Sequence, residues 1–173
     1  LVFAACVVSV PLLLDRDVPE HLGGLAKESF GGLLLVDTPL QRRQGLKDSP
    51  ELALADWLAF GGFDAASTQA GHPCYWPRQW AEHYVNDSLE HLYHWLLARG
   101  VKFLPLPLWV ERGMGAGSPQ GAPRGNSVPR WHVVWGTGKG LTDALAAQLE
   151  RHPRRGQLTL QFGHRVEGLI TTA

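Results

Sequence analysis

Cysteine, methionine, isoleucine and net charge are all scarce in this sequence. Cys6 and Cys74 are the only cysteines among 173 residues. Two cysteines do not make the disulfide framework of a small secreted domain, and neither a Cys-x-x-Cys pair nor a Cys/His zinc spacing occurs. No metal site is expected, and a reduced, cytoplasmic protein is. Lys plus Arg number 16, as do Asp plus Glu, so the formal net charge is zero. That leaves no basic footprint for nucleic acid or for an anionic membrane surface. Met114 is the only methionine, so the chain is expected to be a processed product or a fragment. Ile170 is the only isoleucine and arginine outnumbers lysine 12 to 4, a bias that reads as genomic and points to no partner. One long apolar run exists, Leu1 to Leu14. It falls short of the roughly 20 residues that a membrane span needs. No basic residue precedes it as in a secretory leader. It reads as a buried strand beginning at or after Pro11, with a trimmed leader or anchor as the alternative.

What is present fits a globular chain of about one domain: 45% hydrophobic and 18% charged residues, with 20 glycines and 12 prolines supplying loops. After the first strand, Gly23-Gly24 and Gly31-Gly32 bracket a short stretch, and Leu33 to Val36 reads as buried. Gln41 to Lys47 reads as a polar surface segment. Ser49, Pro50 and Glu51 predict a helix start, with Gly61-Gly62 as its end. Residues 63–76 read as loop. A second helix is expected from Pro77 or Arg78 to Arg99, and Trp57 on the first helix and Trp80 and Trp95 on the second fall at core spacing. Val101 to Leu104 reads as a strand, and Gly113 to Pro129 as a long loop. Trp131 to Trp135 is strand-like, a helix is expected over Leu141 to His152, and strands are expected over Leu158 to Phe162 and Arg165 to Thr172. The order predicts an α/β or α+β pattern.

Leu12-Leu13-Leu14-Asp15 is the first segment that carries chemistry. A buried strand ending in a carboxylate can accept hydrogen bonds from the ribose hydroxyls of a nucleotide, although turns also favour Asp. The two glycine pairs allow backbone N–H groups to approach an anion or a ring closely, and are equally compatible with two tight turns. Ser29, between them, offers a hydroxyl. Gly136-Thr137-Gly138-Lys139-Gly140 suggests a phosphate loop but fails the pattern: Val133 stands where the first glycine belongs, and Gly140 follows the lysine where Ser or Thr is needed. His91 and His94 lie one turn apart without a zincin motif, so solvated helix positions explain them.

From here the blocks become specific. Leu12 to Asp15, His21-Leu22-Gly23-Gly24 and Ser29-Phe30-Gly31-Gly32-Leu33 together resemble the FAD-binding region of the fumarate reductase/succinate dehydrogenase flavoprotein family, which includes the 3-ketosteroid dehydrogenases. Val36-Asp37-Thr38-Pro39, Trp76 to Ala81, Gly125 to Arg130 and His132 to Gly138 resemble its FAD-binding dehydrogenase subgroup. The resemblance implies FAD as cofactor. Asp15 then contacts the FAD ribose, Gly23 and Gly24 lie beside the pyrophosphate, and Ser29, Gly31 and Gly32 pass near the flavin. Val166, on a late strand, meets the adenine. His132 is the one catalytic suspect. The implied fold is α/β: a partial FAD-binding, Rossmann-like domain over 1–62, an inserted α+β cap or substrate segment over 63–135, and a return to the FAD-binding domain over 136–173. No GxGxxG unit precedes Asp15, so a fragment is implied.

The expected function is therefore that of an FAD-dependent oxidoreductase fragment, passing hydride between flavin and a small organic molecule. Two alternatives stand beside it: a non-catalytic remnant unable to bind FAD alone, and a secreted, Trp-rich binding domain.

Overall fold

Local capping chemistry sets several helix starts in the computed structural model, which describes residues 11–110, 112–113 and 124–170. In chain order the elements are β1 (Leu12–Leu14), α1 (Gly24–Glu28), β2 (Gly32–Leu34), α2 (Pro39–Arg43), α3 (Pro50–Gly61), α4 (Tyr75–Asp87), a π-helical stretch (Ser88–His94), α5 (Trp95–Leu97), β3 (Arg112–Gly113), β4 (Arg124–Gly125), β5 (Trp131–Val133), α6 (Thr137–Arg151) and β6 (Thr159–Gln161). This mixture of helix and strand is compatible with the α/β expectation. It divides into two compact units: residues 1–31 with 136–173, and residues 32–135. The units meet in sequence at Gly31/Gly32, and α3 packs on α4 within the second unit.

In the first unit β1 pairs in parallel with β6, Leu13 opposite Leu160. The strand begins directly after Pro11, as the missing proline N–H requires, but Leu12 and Leu14 are exposed, which corrects the burial expected for it. α1 packs on α6, and glycine makes their approach possible. A Cβ on Gly138 would sit 1.9 Å from the Ala26 carbonyl oxygen, and one on Gly31 would sit 2.4 Å from the Thr137 carbonyl carbon. Gly138 N–H donates to the Ser29 carbonyl at 3.0 Å across this contact. α6 starts at Thr137, four residues before the expected Leu141, so the Gly136–Gly140 run is the entry and first turn of a helix. Of the strand expected over Arg165 to Thr172, residues 165–170 form neither helix nor strand, and Thr171 and Thr172 lie outside the described residues.

In the second unit β2 runs antiparallel to β5, with Leu33 opposite His132 and Leu34 opposite Trp131. Thr38 caps α2 by a full capping box: its hydroxyl accepts from Gln41 N–H, and the Gln41 side chain accepts from Thr38 N–H. Gln41 is therefore buried in a helix rather than lying on the expected surface segment. Ser49 caps α3 with Pro50 in the first turn, and Gly62 at φ +67° ends it. Residues 65–68 form a short 3-10 turn inside the expected loop. α4 continues through seven π-helical residues into α5, ending at Gly100 with φ +85°. The strand expected at Val101 to Leu104 is reduced to a bridge between Phe103 and Val134. Two apolar clusters fill the unit, one around Leu35, Leu40 and Tyr93, the other around Val36, Ala53 and Val85. Trp57 packs on the second, but Trp80 is 73% exposed and Trp95 41% exposed, so the expected tryptophan core is not formed by those two. The flanks of the expected long loop pair as β3 and β4, whereas its middle and the Leu1 to Ser9 run lie outside the described residues.

Every fully buried apolar side chain among the described residues belongs to the second unit. No helix among the described residues is long and apolar enough to cross a membrane.

Candidate functional site

In the first unit, the parallel pairing of β1 continues one residue past the strand, where Asp15 N–H donates to the Gln161 carbonyl at 2.9 Å. The Asp15 carbonyl in turn accepts from His164 N–H at 2.9 Å. Both backbone bonds fix the aspartate at the C-terminal end of a parallel strand, where α/β sheets hold ligands. Its Oδ1 accepts from Asp17 N–H at 2.9 Å, and Oδ2 has no hydrogen bond among the described residues. A cleft of about 290 Å³ opens here, lined by Asp15, Asp17, His21, Gly24, Leu25 and Lys27 among others. Val18 N–H and His21 hold the Asp17 carboxyl below the usual carboxylate range. Lys27 Nζ donates to the Glu20 carbonyl at 2.7 Å.

Of the residues singled out from the sequence, Asp15 and Gly24 share this cleft. At Gly24 nothing lies within 4 Å of where a Cβ would stand, so a bulky group can approach its backbone. Gly23 is instead used for packing: a Cβ there would lie 3.0 Å from the Thr142 side chain. Ser29 is turned to local work at the far end of α1, donating to the Ala26 carbonyl at 2.7 Å and accepting from Gly31 N–H at 3.2 Å. Gly31 is closed against the start of α6. Gly32 belongs to β2 in the second unit, where a Cβ would meet the Trp131 indole at 2.1 Å. Val166 is exposed in the segment without regular structure.

His132 is fully buried in the second unit. Its Nδ1 lies 2.7 Å from the Arg130 carbonyl oxygen, which can only accept, so Nδ1 carries the proton. Nε2 then accepts from the Thr38 hydroxyl at 2.7 Å. Burial, opposed by the Arg130 backbone bond and the Asp48 charge, pushes its pKa below the usual imidazole value. The sign follows from linkage. The unfolded chain takes up a proton near pH 6.5 and the folded chain only at lower pH, so stability is full above about 6.5 and falls as pH drops through that region. Each tenfold loss of proton affinity is worth about 1.4 kcal/mol. We expect urea midpoints to decline from pH 7.5 to pH 5.5, and this slope to shrink in His132→Gln. An unchanged slope in the variant would mean that another group titrates.

Sequence reasoning missed the polar network next to this histidine. Arg130 is buried and bidentate to Asp48, with Nε at 2.9 Å from Oδ2 and Nη2 at 2.8 Å from Oδ1. Its Nη1 reaches Asp56 Oδ2 at 2.5 Å and Asn126 Oδ1 at 3.0 Å. Gln41 completes Asp48 at 2.8 Å. Burial works against the Arg130 charge, but the bonds and charges of Asp48 and Asp56 outweigh it and raise its pKa. The sequence signal was the alternation in Arg130-Trp131-His132, which in extended chain puts Arg130, just before β5, on the same side as His132 within it.

No family model matches the chain. It is 46% identical over 154 residues to the KsdD-like steroid dehydrogenase of Mycobacterium tuberculosis, in two strains, a match covering 89% of this chain and 25% of each relative. It is 40% identical over 164 residues to the KsdD-like steroid dehydrogenase of Mycolicibacterium smegmatis, covering 94% of this chain and 27% of that protein. The chain thus spans about a quarter of the length of these curated relatives. The resemblance read from Asp15, the glycine pairs and the later blocks is borne out at that level: over nearly all of its length, the chain is similar to a quarter of the KsdD-like steroid dehydrogenases.

Proposed function

We propose that this chain is the part of an FAD-dependent dehydrogenase that contributes the ribose-binding carboxylate of the cofactor site. The observation that carries the reading is Asp15, fixed at the C-terminal end of a parallel strand with Oδ2 unbonded and the open backbone of Gly24 in the same cleft. A carboxylate oxygen with free lone pairs suits a ribose hydroxyl, and a glycine without neighbours suits a bulky dinucleotide. When bound, FAD would supply the capacity to accept or release hydride. Asp15 and Gly24 would hold and orient it. Gly23, Ser29 and Gly31 would shape the cleft indirectly, through the α1 and α6 contact. His132, with both nitrogens engaged in the interior, would position Thr38 and the Arg130 strand. The names of the relatives make a steroid the first substrate to try for the complete enzyme.

The test is to incubate the purified chain with FAD, desalt it and record the visible spectrum. Retained flavin is the expected result, with binding weakened about ten- to a hundredfold in Asp15→Ala, the worth of a hydrogen bond to a charged group. A folded chain that retains no flavin would sink cofactor binding, and the reading as a non-catalytic remnant would lead.

A further inference from the structure

A second cleft, of about 320 Å³, lies in the 32–135 unit between α3 and the β4–β5 segment. Its walls are apolar and largely aromatic, with Leu34, Trp57, Phe60 and Trp131 contributing, and Asp56 and Arg130 form its polar end. Two features of that end are chemically unusual. The first is charge. The guanidinium of Arg130 is shared between two carboxylates, Asp48 and Asp56, so these three groups together carry one surplus negative charge. The Asp48 side chain is fully buried behind Arg130, and only Asp56, at 15% side-chain exposure, shows itself. The second is the unequal use of the Asp56 oxygens. Oδ2 accepts from Arg130 Nη1 at 2.5 Å, from Ser127 N–H at 2.9 Å and from the Ser127 hydroxyl at 2.8 Å. Oδ1 has no hydrogen bond among the described residues.

We infer that this cleft binds an organic cation: an amine or ammonium group carried on an apolar, preferably flat, skeleton. The surplus charge favours a cation over a neutral or anionic ligand, and Oδ1 offers the acceptor for its N–H. Trp57 and Trp131, which line the cleft, supply aromatic rings of the kind that attract positive charge. A bound anion would face the carboxylate surplus with Arg130 already committed. The site is independent of the cofactor reading, because all of its residues lie in the 32–135 unit and none lines the Asp15 cleft.

The experiment compares three probes of one shape: 2-phenylethylammonium, 2-phenylethanol and phenylacetate. Binding to the ¹⁵N-labelled chain is followed through the indole N–H resonances, with Trp57 and Trp131 identified by Trp57→Phe and Trp131→Phe. We expect saturable shifts of those two indoles with the ammonium, binding at least about tenfold tighter than the alcohol, and none with phenylacetate. In Asp56→Asn, which keeps the shape and removes the charge, the preference for ammonium over alcohol should vanish. Equal binding of ammonium and alcohol, a lack of saturable binding, or a preference that survives Asp56→Asn would each overturn the assignment. Should Asp56→Asn fail to fold, salt decides on the unaltered chain. The ammonium preference must weaken as ionic strength rises, and a salt-independent preference overturns the inference.

Discussion

Replacing Arg130 by methionine is expected to cost the 32–135 unit about 3–5 kcal/mol, the range found when one partner of a buried ion pair is removed. Typical domains hold only about 5–15 kcal/mol in total, so this single change consumes a large part of the stability. The reason lies in Asp48, whose side chain is fully buried. It would keep its bonds to Gln41 and Ser49 but lose its counter-charge. Arg130→Lys should recover only part of the loss, because an ammonium is a point charge and cannot repeat the fork that spans Asp48 and Asp56. The methionine variant should also invert part of the pH response. A buried carboxylate without its counter-charge binds a proton more readily than in the unfolded chain. The penalty is therefore present at neutral pH and shrinks as pH falls through the raised folded value. Urea denaturation followed by near-ultraviolet circular dichroism at pH 7.5 and pH 5 measures both effects. Arg42→Ala, which removes an exposed partner of Asp37, is the control and should leave the urea midpoint nearly unchanged. Equal losses for Arg130→Met and Arg42→Ala would mean that burial adds nothing to the network.

Gly138→Ala should damage the other unit by about 2–3 kcal/mol, the upper part of the usual range for overfilling a packed contact. The added methyl would fall 1.9 Å from the Ala26 carbonyl oxygen and 2.4 Å from the Ser29 hydroxyl oxygen. The Ser29 hydroxyl can rotate away, but the Ala26 carbonyl oxygen and the Ser29 carbonyl oxygen, 2.8 Å from the same point, are backbone and cannot. α1 must move off α6, and the bond from Gly138 N–H to the Ser29 carbonyl goes with it. Gly31→Ala should be similarly costly for two reasons. Its φ of +72° disfavours any side chain, and the methyl would lie 2.4 Å from the Thr137 carbonyl carbon. Gly168→Ala is the matched control, since nothing lies within 4 Å of its Cβ position, and should stay within about 0.5 kcal/mol. Thermal unfolding of the three variants separates the cases. A neutral Gly138→Ala would show that α1 and α6 are not held together as closely as these distances require.

Much of the local architecture was legible because it depends on neighbours in sequence. Pro11 cannot donate to a ladder, and β1 begins just after it. Ser49-Pro50-Glu51 is a helix start by its own chemistry, and Gly62 is an end by its positive φ. Asp15 was legible as a candidate for the same reason: a strand ending in a carboxylate is a local pattern. The misreadings arose where distance in sequence is large. Gln41 looked like surface because Gln-Arg-Arg-Gln is polar, yet it is buried, since it bonds to Asp48 and to the Pro129 carbonyl 88 residues away. Trp80 follows core spacing on its helix but stands 73% exposed, because periodicity shows which residues share a face and not what covers it.

The sequence by itself determined the starts of β1 and α3, the carboxylate at the end of β1, the charge balance and the resemblance to dehydrogenases. Each of these needs only a short window of residues or a count. Tertiary structure alone decided that Arg130 joins Asp48 and Asp56 from 82 and 74 residues away. It alone decided which glycines are closed by packing and which stand open, and that His132 is an interior hydrogen-bonding group. A single buried polar side chain carries no local signature of its partner. The partner is chosen when the chain closes, by the requirement that every charge taken from water find an opposite one.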